Sequence, residues 1–126
     1  MAVMGLGTDI IEIGRIEKQL TRSNRLAQRV LTATELAIFD EHSFPARYLA
    51  KRFAAKEAAV KALGVGIGNG ISFQDVEVHN LPSGQPFLKF YAKFAQLCEQ
   101  RNITSSHISI SDEQHYAIAT VILESP

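Results

Sequence analysis

Apolar residues at helical spacing mark residues 50–64 as the most strongly helical stretch of the chain. Phe53, Val60 and Leu63 supply a buried side, and the stretch is rich in strong helix formers with no internal Gly or Pro. Gly64 predicts the stop, and the glycine-rich segment Gly66-Ile67-Gly68-Asn69-Gly70 follows. Earlier in the chain, Val, Ile and Leu over residues 3–11 predict a strand, with Gly5 and Gly7 permitting close packing. Ile13, Ile16 and Leu20 predict an amphipathic helix over residues 12–20. Ser23 is a cap for a second, short helix ending near Val30. Thr32 and Glu35 have capping-box spacing for a third over residues 32–42. Phe44-Pro45 breaks that helix, and the long one starts at Pro45 or Ala46.

Beyond Gly70 the period changes from helical to alternating. Residues 73–79 alternate, Asn80-Leu81-Pro82-Ser83-Gly84 turns, and residues 85–89 return, which predicts a hairpin. Residues 90–102 form an amphipathic helix. His107-Ile108-Ser109-Ile110-Ser111 alternates, Asp112-Glu113-Gln114 turns, and residues 115–123 make a last strand. This order predicts an α+β fold, an antiparallel sheet packed with helices. With no repeat, low-complexity tract or linker, residues 1–126 read as a single domain.

Composition narrows the function. No apolar run approaches the ~20 residues that span a membrane, and no signal-peptide pattern opens the chain, so a cytoplasmic location is expected. The lone Cys98 has no internal disulfide partner, which suits a reducing compartment, and it reads as a small buried hydrophobe rather than a nucleophile. The formal net charge is zero, yet residues 15–29 hold five bases (Arg15, Lys18, Arg22, Arg25, Arg29) against Glu17 alone. Residues 47–61 hold five more (Arg47, Lys51, Arg52, Lys56, Lys61) against Glu57 alone. Both zones suit anionic partners. The first bases form one stripe if helical phase survives the 21–24 junction; such a stripe docks an acidic helix or nucleic acid, or is a solvated face.

The candidate chemistry is limited. Scattered histidines and one cysteine do not make a zinc set. No Gly-X-Ser-X-Gly elbow is present, and the glycine-rich loop fits neither a Walker A nor a dinucleotide fingerprint. An oxygen-ligated cation remains. Mg2+ takes one or two carboxylates and leaves places for water and substrate phosphate. Asp9, near a strand end, and Glu57, among Lys51, Arg52, Lys56 and Lys61, are candidates if the strand and the long helix meet. Arg47, Arg52 and Lys61 then neutralise phosphates. The bland alternatives are a helix cap for Asp9 and a surface salt bridge for Glu57. A nucleic-acid module is disfavoured because Phe39 and Phe44 do not interleave with the arginine stripe.

Three motifs together resemble a known family. They are Gly5-Leu6-Gly7-Thr8-Asp9-Ile10-Ile11-Glu12-Ile13, the run from Arg52-Phe53-Ala54-Ala55-Lys56-Glu57 through Ala58-Ala59-Val60-Lys61-Ala62-Leu63-Gly64, and His107-Ile108-Ser109-Ile110-Ser111-Asp112. In order and nearly end to end, they are similar to the holo-[acyl-carrier-protein] synthases, the small single-domain 4′-phosphopantetheinyl transferases. The resemblance implies a trimer with active sites at subunit interfaces. It implies transfer of the phosphopantetheine arm of coenzyme A to a serine of apo-acyl carrier protein, dependent on magnesium and serving fatty acid biosynthesis. By the same resemblance Asp9 and Glu57 match metal ligands. Lys61 and Gly64 close the central motif beside coenzyme A, and Arg52 and His107 match positions near the coenzyme, the latter from the neighbouring protomer. Arg47 lies in a less regular region. The proton acceptor stays open among Glu57, a metal-bound water and His107. Acyl carrier proteins are acidic, which gives the stripe a reason: Arg15, Arg22 and Arg25 are expected to dock the carrier, with Lys18 at the edge. No nucleic acid or membrane partner is expected.

Overall fold

The computed structural model describes residues 1–126. Strand β1 (Ala2–Glu12) leads into α1 (Ile13–Arg22), α2 (Arg25–Val30), α3 (Ala33–Glu41) and the long α4 (Pro45–Leu63). A 3-10 turn (Phe73–Asp75), the hairpin β2 (Val76–Asn80) and β3 (Pro86–Phe90), α5 (Ala92–Gln100), β4 (Ser105–Asp112) and β5 (Tyr116–Ser125) follow. The expected α+β class with antiparallel strands holds: β1, β5 and β4 form one sheet in that order, and β2 pairs with β3.

Helix α4 is the spine, with a buried cluster on either side. One joins Val60 and Leu63 to Val76, Val78, Phe94, Val121 and Leu123. The other joins Tyr48, Leu49 and Ala50 to Ile13, Ile16, Val30, Leu31 and Phe39. A run of alanines keeps the helix thin where β1 crosses it. There the approach is backbone to backbone: a Cβ on Gly7 would stand 2.0 Å from the Ala58 carbonyl oxygen, and one on Gly5 1.8 Å from that of Ala62.

Local signals account for the ends. Thr32 Oγ1 accepts from the Glu35 N–H at 3.3 Å while Glu35 Oε1 accepts from the Thr32 N–H at 2.9 Å, the reciprocal capping box. Gly64 ends α4 at φ 79°, a left-handed conformation that only glycine adopts freely. Three expected boundaries move. Phe73–Asp75 is a 3-10 turn rather than strand because Ser72 Oγ accepts from the Gln74 N–H, at 3.1 Å, and winds the chain before β2. Phe90 belongs to β3, paired with Val76, so α5 starts later. Asp112 extends β4, and β5 starts at Tyr116. The bases of residues 15–29 do not share one helix: α1 ends at Arg22, extended Ser23 breaks the phase, and α2 starts at Arg25.

The sheet has two unlike faces. Ala117, Ala119, Val121 and Leu123 of β5 are buried on the side that carries α4. The other side leaves Leu6 at 64% and Ile10 at 61% exposure, with Tyr116 and Ile118 also open to solvent.

Candidate active site

Because β1 lies directly on α4, Asp9 meets the helix. Lys61 Nζ donates to Asp9 Oδ1 at 3.0 Å and to the Thr8 carbonyl at 3.1 Å. Glu57 precedes Lys61 by four residues, one helical turn. Burial pushes the Glu57 carboxyl up from its usual range and the nearby Asp9 charge pushes it further, against smaller opposing pulls from Lys61 and Arg29. Two half-buried carboxylates therefore repel one another beside a single ammonium. Arg29 comes from α2, its guanidinium 5.4 Å from the centre of the Phe73 ring, and nothing in its local sequence marks it as a neighbour of Glu57.

The other cations of α4 do not ring Glu57, which corrects the sequence reading. Lys56 is fully buried and paired with Glu35. Lys51 pairs with Asp112 at 3.4 Å. Arg52 is nine positions from Lys61, two and a half turns of a 3.6-residue helix, and so lies on its opposite side. It is buried, donates to Asn80 Oδ1 at 3.0 Å and stacks 4.7 Å from the Tyr48 ring centre, while its Nε has no partner. A second, separate cationic groove thus forms from Arg47, Lys51 and Arg52 with His42, Phe44 and Tyr48.

Arg47 reaches across to the β4–β5 turn, donating to Asp112 Oδ2 at 2.9 Å and to the Glu113 carbonyl at 2.6 Å. Burial works to raise the Asp112 carboxyl, but bonds from Arg47 and Lys51 outweigh it and hold the group below its usual range. Asp112 is a partner that the sequence did not reveal. Gly64 is exposed just past Lys61, with nothing within 4 Å of where a Cβ would be. Arg15, Lys18, Arg22 and Arg25 all face solvent. Between α1, α2 and α4 opens a shallow apolar groove lined by Ile11, Arg15, Ile16, Gln19, Leu26 and Phe53.

His107 does not join Asp9 and Glu57 within the chain. It lies three residues from Ile110, which pairs with Ala119, which pairs with Asp9. That is about 10 Å along and about 10 Å across the sheet, and His107 points to the face away from α4. Its Nε2 is 2.6 Å from Glu124 Oε1.

The chain has known relatives. The pattern of the 4′-phosphopantetheinyl transferase superfamily matches residues 5–121. The chain is 98% identical to a holo-[acyl-carrier-protein] synthase of Pseudoalteromonas atlantica over 126 residues, all of both chains. The fold matches the crystal structure of holo-[acyl-carrier-protein] synthase from Neisseria meningitidis with TM-score 0.91 and 35% identity, covering 98% of this chain and 100% of that one. The Helicobacter pylori synthase in complex with coenzyme A matches with TM-score 0.82 and 34% identity, covering 94% of this chain and 99% of the other. The chain belongs to the 4′-phosphopantetheinyl transferase superfamily.

Proposed function

We infer that the chain transfers the 4′-phosphopantetheine arm of coenzyme A to a serine of apo-acyl carrier protein, releasing adenosine 3′,5′-bisphosphate, and so supplies carriers for fatty acid biosynthesis. The observation that carries this reading is the convergence of Asp9, Glu57 and Lys61 from two distant segments. It gains support from the coenzyme A complex of a related synthase.

The pair Asp9 and Glu57 fits Mg2+. The two carboxylates lie near one another partly out of water, with Lys61 bound to Asp9, and the repulsion that Asp9 exerts on Glu57 is the kind a divalent cation relieves. No third His, Cys, Asp or Glu joins them. Two protein ligands leave room for water and substrate phosphate, as magnesium prefers. When bound there, the ion supplies charge stabilisation for the pyrophosphate.

The chain's own residues do the rest. The serine hydroxyl gives its proton to a base, its oxygen forms a bond to the β-phosphorus while the bridging P–O bond breaks, and adenosine 3′,5′-bisphosphate leaves with the electron pair. An ammonium has three N–H groups, and Lys61 directs two of them to Asp9 and Thr8. The third is available to a phosphate oxygen as charge builds on the leaving group. Arg47 and Arg52 line the second groove, whose cations suit another phosphate of the coenzyme. Gly64 leaves the mouth beside Lys61 open.

The carrier docks on Arg15, Arg22 and Arg25, its acidic surface against the bases and apolar side chains against the neighbouring groove. The assembly is a homotrimer with active sites at its interfaces. Two features support this: the apolar outer face of the sheet, and His107 turned away from the Asp9 of its own chain. The whole chain acts as one phosphopantetheinyl transferase domain in the cytoplasm; no helix is long and apolar enough to cross a membrane.

The test is mass spectrometry of apo-acyl carrier protein incubated with coenzyme A, Mg2+ and the enzyme. A phosphopantetheine mass gain is expected, and it should vanish with Asp9→Ala and with Glu57→Ala. No gain with a carrier that another transferase can modify would refute the activity; full activity in either variant would refute the metal assignment.

A further inference from the structure

We propose that Glu124 is a positioning residue for His107, holding its imidazole by Nε2 so that Nδ1 is the nitrogen offered to the active site. This rests on the reading that His107 serves the site of a neighbouring copy. His107 on β4 is in register with Ile122 on β5, and Glu124 lies two residues further along the same face, the diagonal neighbour that a long side chain reaches. Its Oε1 is 2.6 Å from His107 Nε2. The two groups differ in freedom: the Glu124 side chain is 17% exposed and that of His107 61%. Glu124 is held at its base, its carbonyl accepting from the Thr104 N–H at 2.9 Å and its Oε1 lying 3.4 Å from Ser105 Oγ.

A carboxylate only accepts, so the ring hydrogen on this side is at Nε2. The neutral ring then presents a lone pair at Nδ1, able to take a proton. The protonated ring presents an Nδ1–H donor, able to bind a phosphate oxygen. In both states the bond to Glu124 is kept and the ring need not turn. A histidine oriented by a carboxylate behind it recurs wherever an imidazole must face one way.

The test is a double-mutant cycle with steady-state kinetics on the full enzyme and carrier. His107→Ala should lower kcat/KM for coenzyme A by about 100-fold, and Glu124→Ala by roughly 10-fold. The double variant should be no worse than His107→Ala alone, because Glu124 acts through the ring. In the free protein, nitrogen NMR of the His107 ring should show one tautomer, hydrogen on Nε2. Glu124→Ala should release the other, since no acceptor then holds the hydrogen on Nε2. Full activity of His107→Ala would remove the reading on which the inference rests. Impaired His107→Ala with an unaffected Glu124→Ala, or with losses that multiply in the double variant, would overturn the inference alone, as would an unchanged tautomer in Glu124→Ala.

Discussion

Lys56 Nζ lies 2.6 Å from Glu35 Oε1, and neither side chain reaches water, at 0% and 1% exposure. The same ammonium donates to the Val30 carbonyl at 2.6 Å. Glu35 also accepts from the N–H groups of Thr32 and Val78, so one carboxylate ties α3, α4 and β2 together. Burial pulls the Lys56 ammonium below its usual range, and Glu35 pulls it back. Replacing Lys56 by Met leaves the carboxylate uncompensated and should cost about 3–5 kcal/mol, read by denaturant titration. Pairing it with Glu35→Leu should recover only part of that, because two backbone N–H groups lose their acceptor. A loss below about 1 kcal/mol in the single variant would contradict this account.

Gly7 lets β1, which carries Asp9, rest closely on α4, which carries Glu57. A methyl group there would stand 2.0 Å from Ala58 O and 2.5 Å from Ala62 N, both backbone atoms that cannot swing aside. Gly7→Ala should lift β1 from α4, destabilise the fold by roughly 1–3 kcal/mol and lower turnover by about 100-fold through misplacement of Asp9. Gly14→Ala is the control. Its Cβ would come no nearer than 3.7 Å to a side-chain atom, and it should keep full activity and gain slightly in melting temperature.

Glu77 makes the fold acid-sensitive. The Thr32 hydroxyl bond is the largest influence on its carboxyl, and burial opposes it. With the further bond from His79, its nitrogen at 2.6 Å, the balance leaves the group below its usual range. A carboxyl depressed in the folded state adds stability above the unfolded-state value of 4.5, and that stability is lost as pH falls through the folded value. Glu77→Gln should therefore cost about 1.5–3 kcal/mol at pH 7. The gap should close as the parent is acidified, seen as converging unfolding midpoints. A gap that stays constant down to acid pH would count against the charged bonds.

Arg15 and Arg22 face solvent on α1. Reversing both to Glu should raise the carrier KM by about 10- to 100-fold at low salt and leave kcat nearly unchanged. Added salt should shrink the difference. An unchanged KM would place the carrier elsewhere.

If Asp9 and Glu57 hold magnesium, the ion stabilises the folded state by mass action. Mg2+ at about 100 times its dissociation constant should add about 2.7 kcal/mol to the parent. It should add little to Glu57→Gln, measured by thermal unfolding without substrate. Equal stabilisation of both would remove Glu57 from the metal site.

The long helix, the capping box at Thr32 and both hairpins were legible because each rests on residues a few positions apart. The opposed placement of Arg52 and Lys61 follows from helical phase, nine positions being half a turn out of phase, but the charge cluster led the sequence reading to set both on the coenzyme phosphates and all the cations around Glu57. The partners Glu35 for Lys56 and Glu124 for His107 were not legible, because they come from other elements and carry no pattern of their own.

By itself the amino-acid sequence determined the elements, the ends set by caps and glycine stops, and the residue types able to hold a cation and phosphate, since helical period, glycine stops and alternation act locally. Only the tertiary structure decided that β1 closes against β5, that Asp9 comes to Lys61, and that Lys56 turns inward. The physical reason is packing. Gly5 and Gly7 let one backbone rest on another, and a buried ion pair locks the helix from the far side. These contacts join segments whose local preferences hold no information about each other.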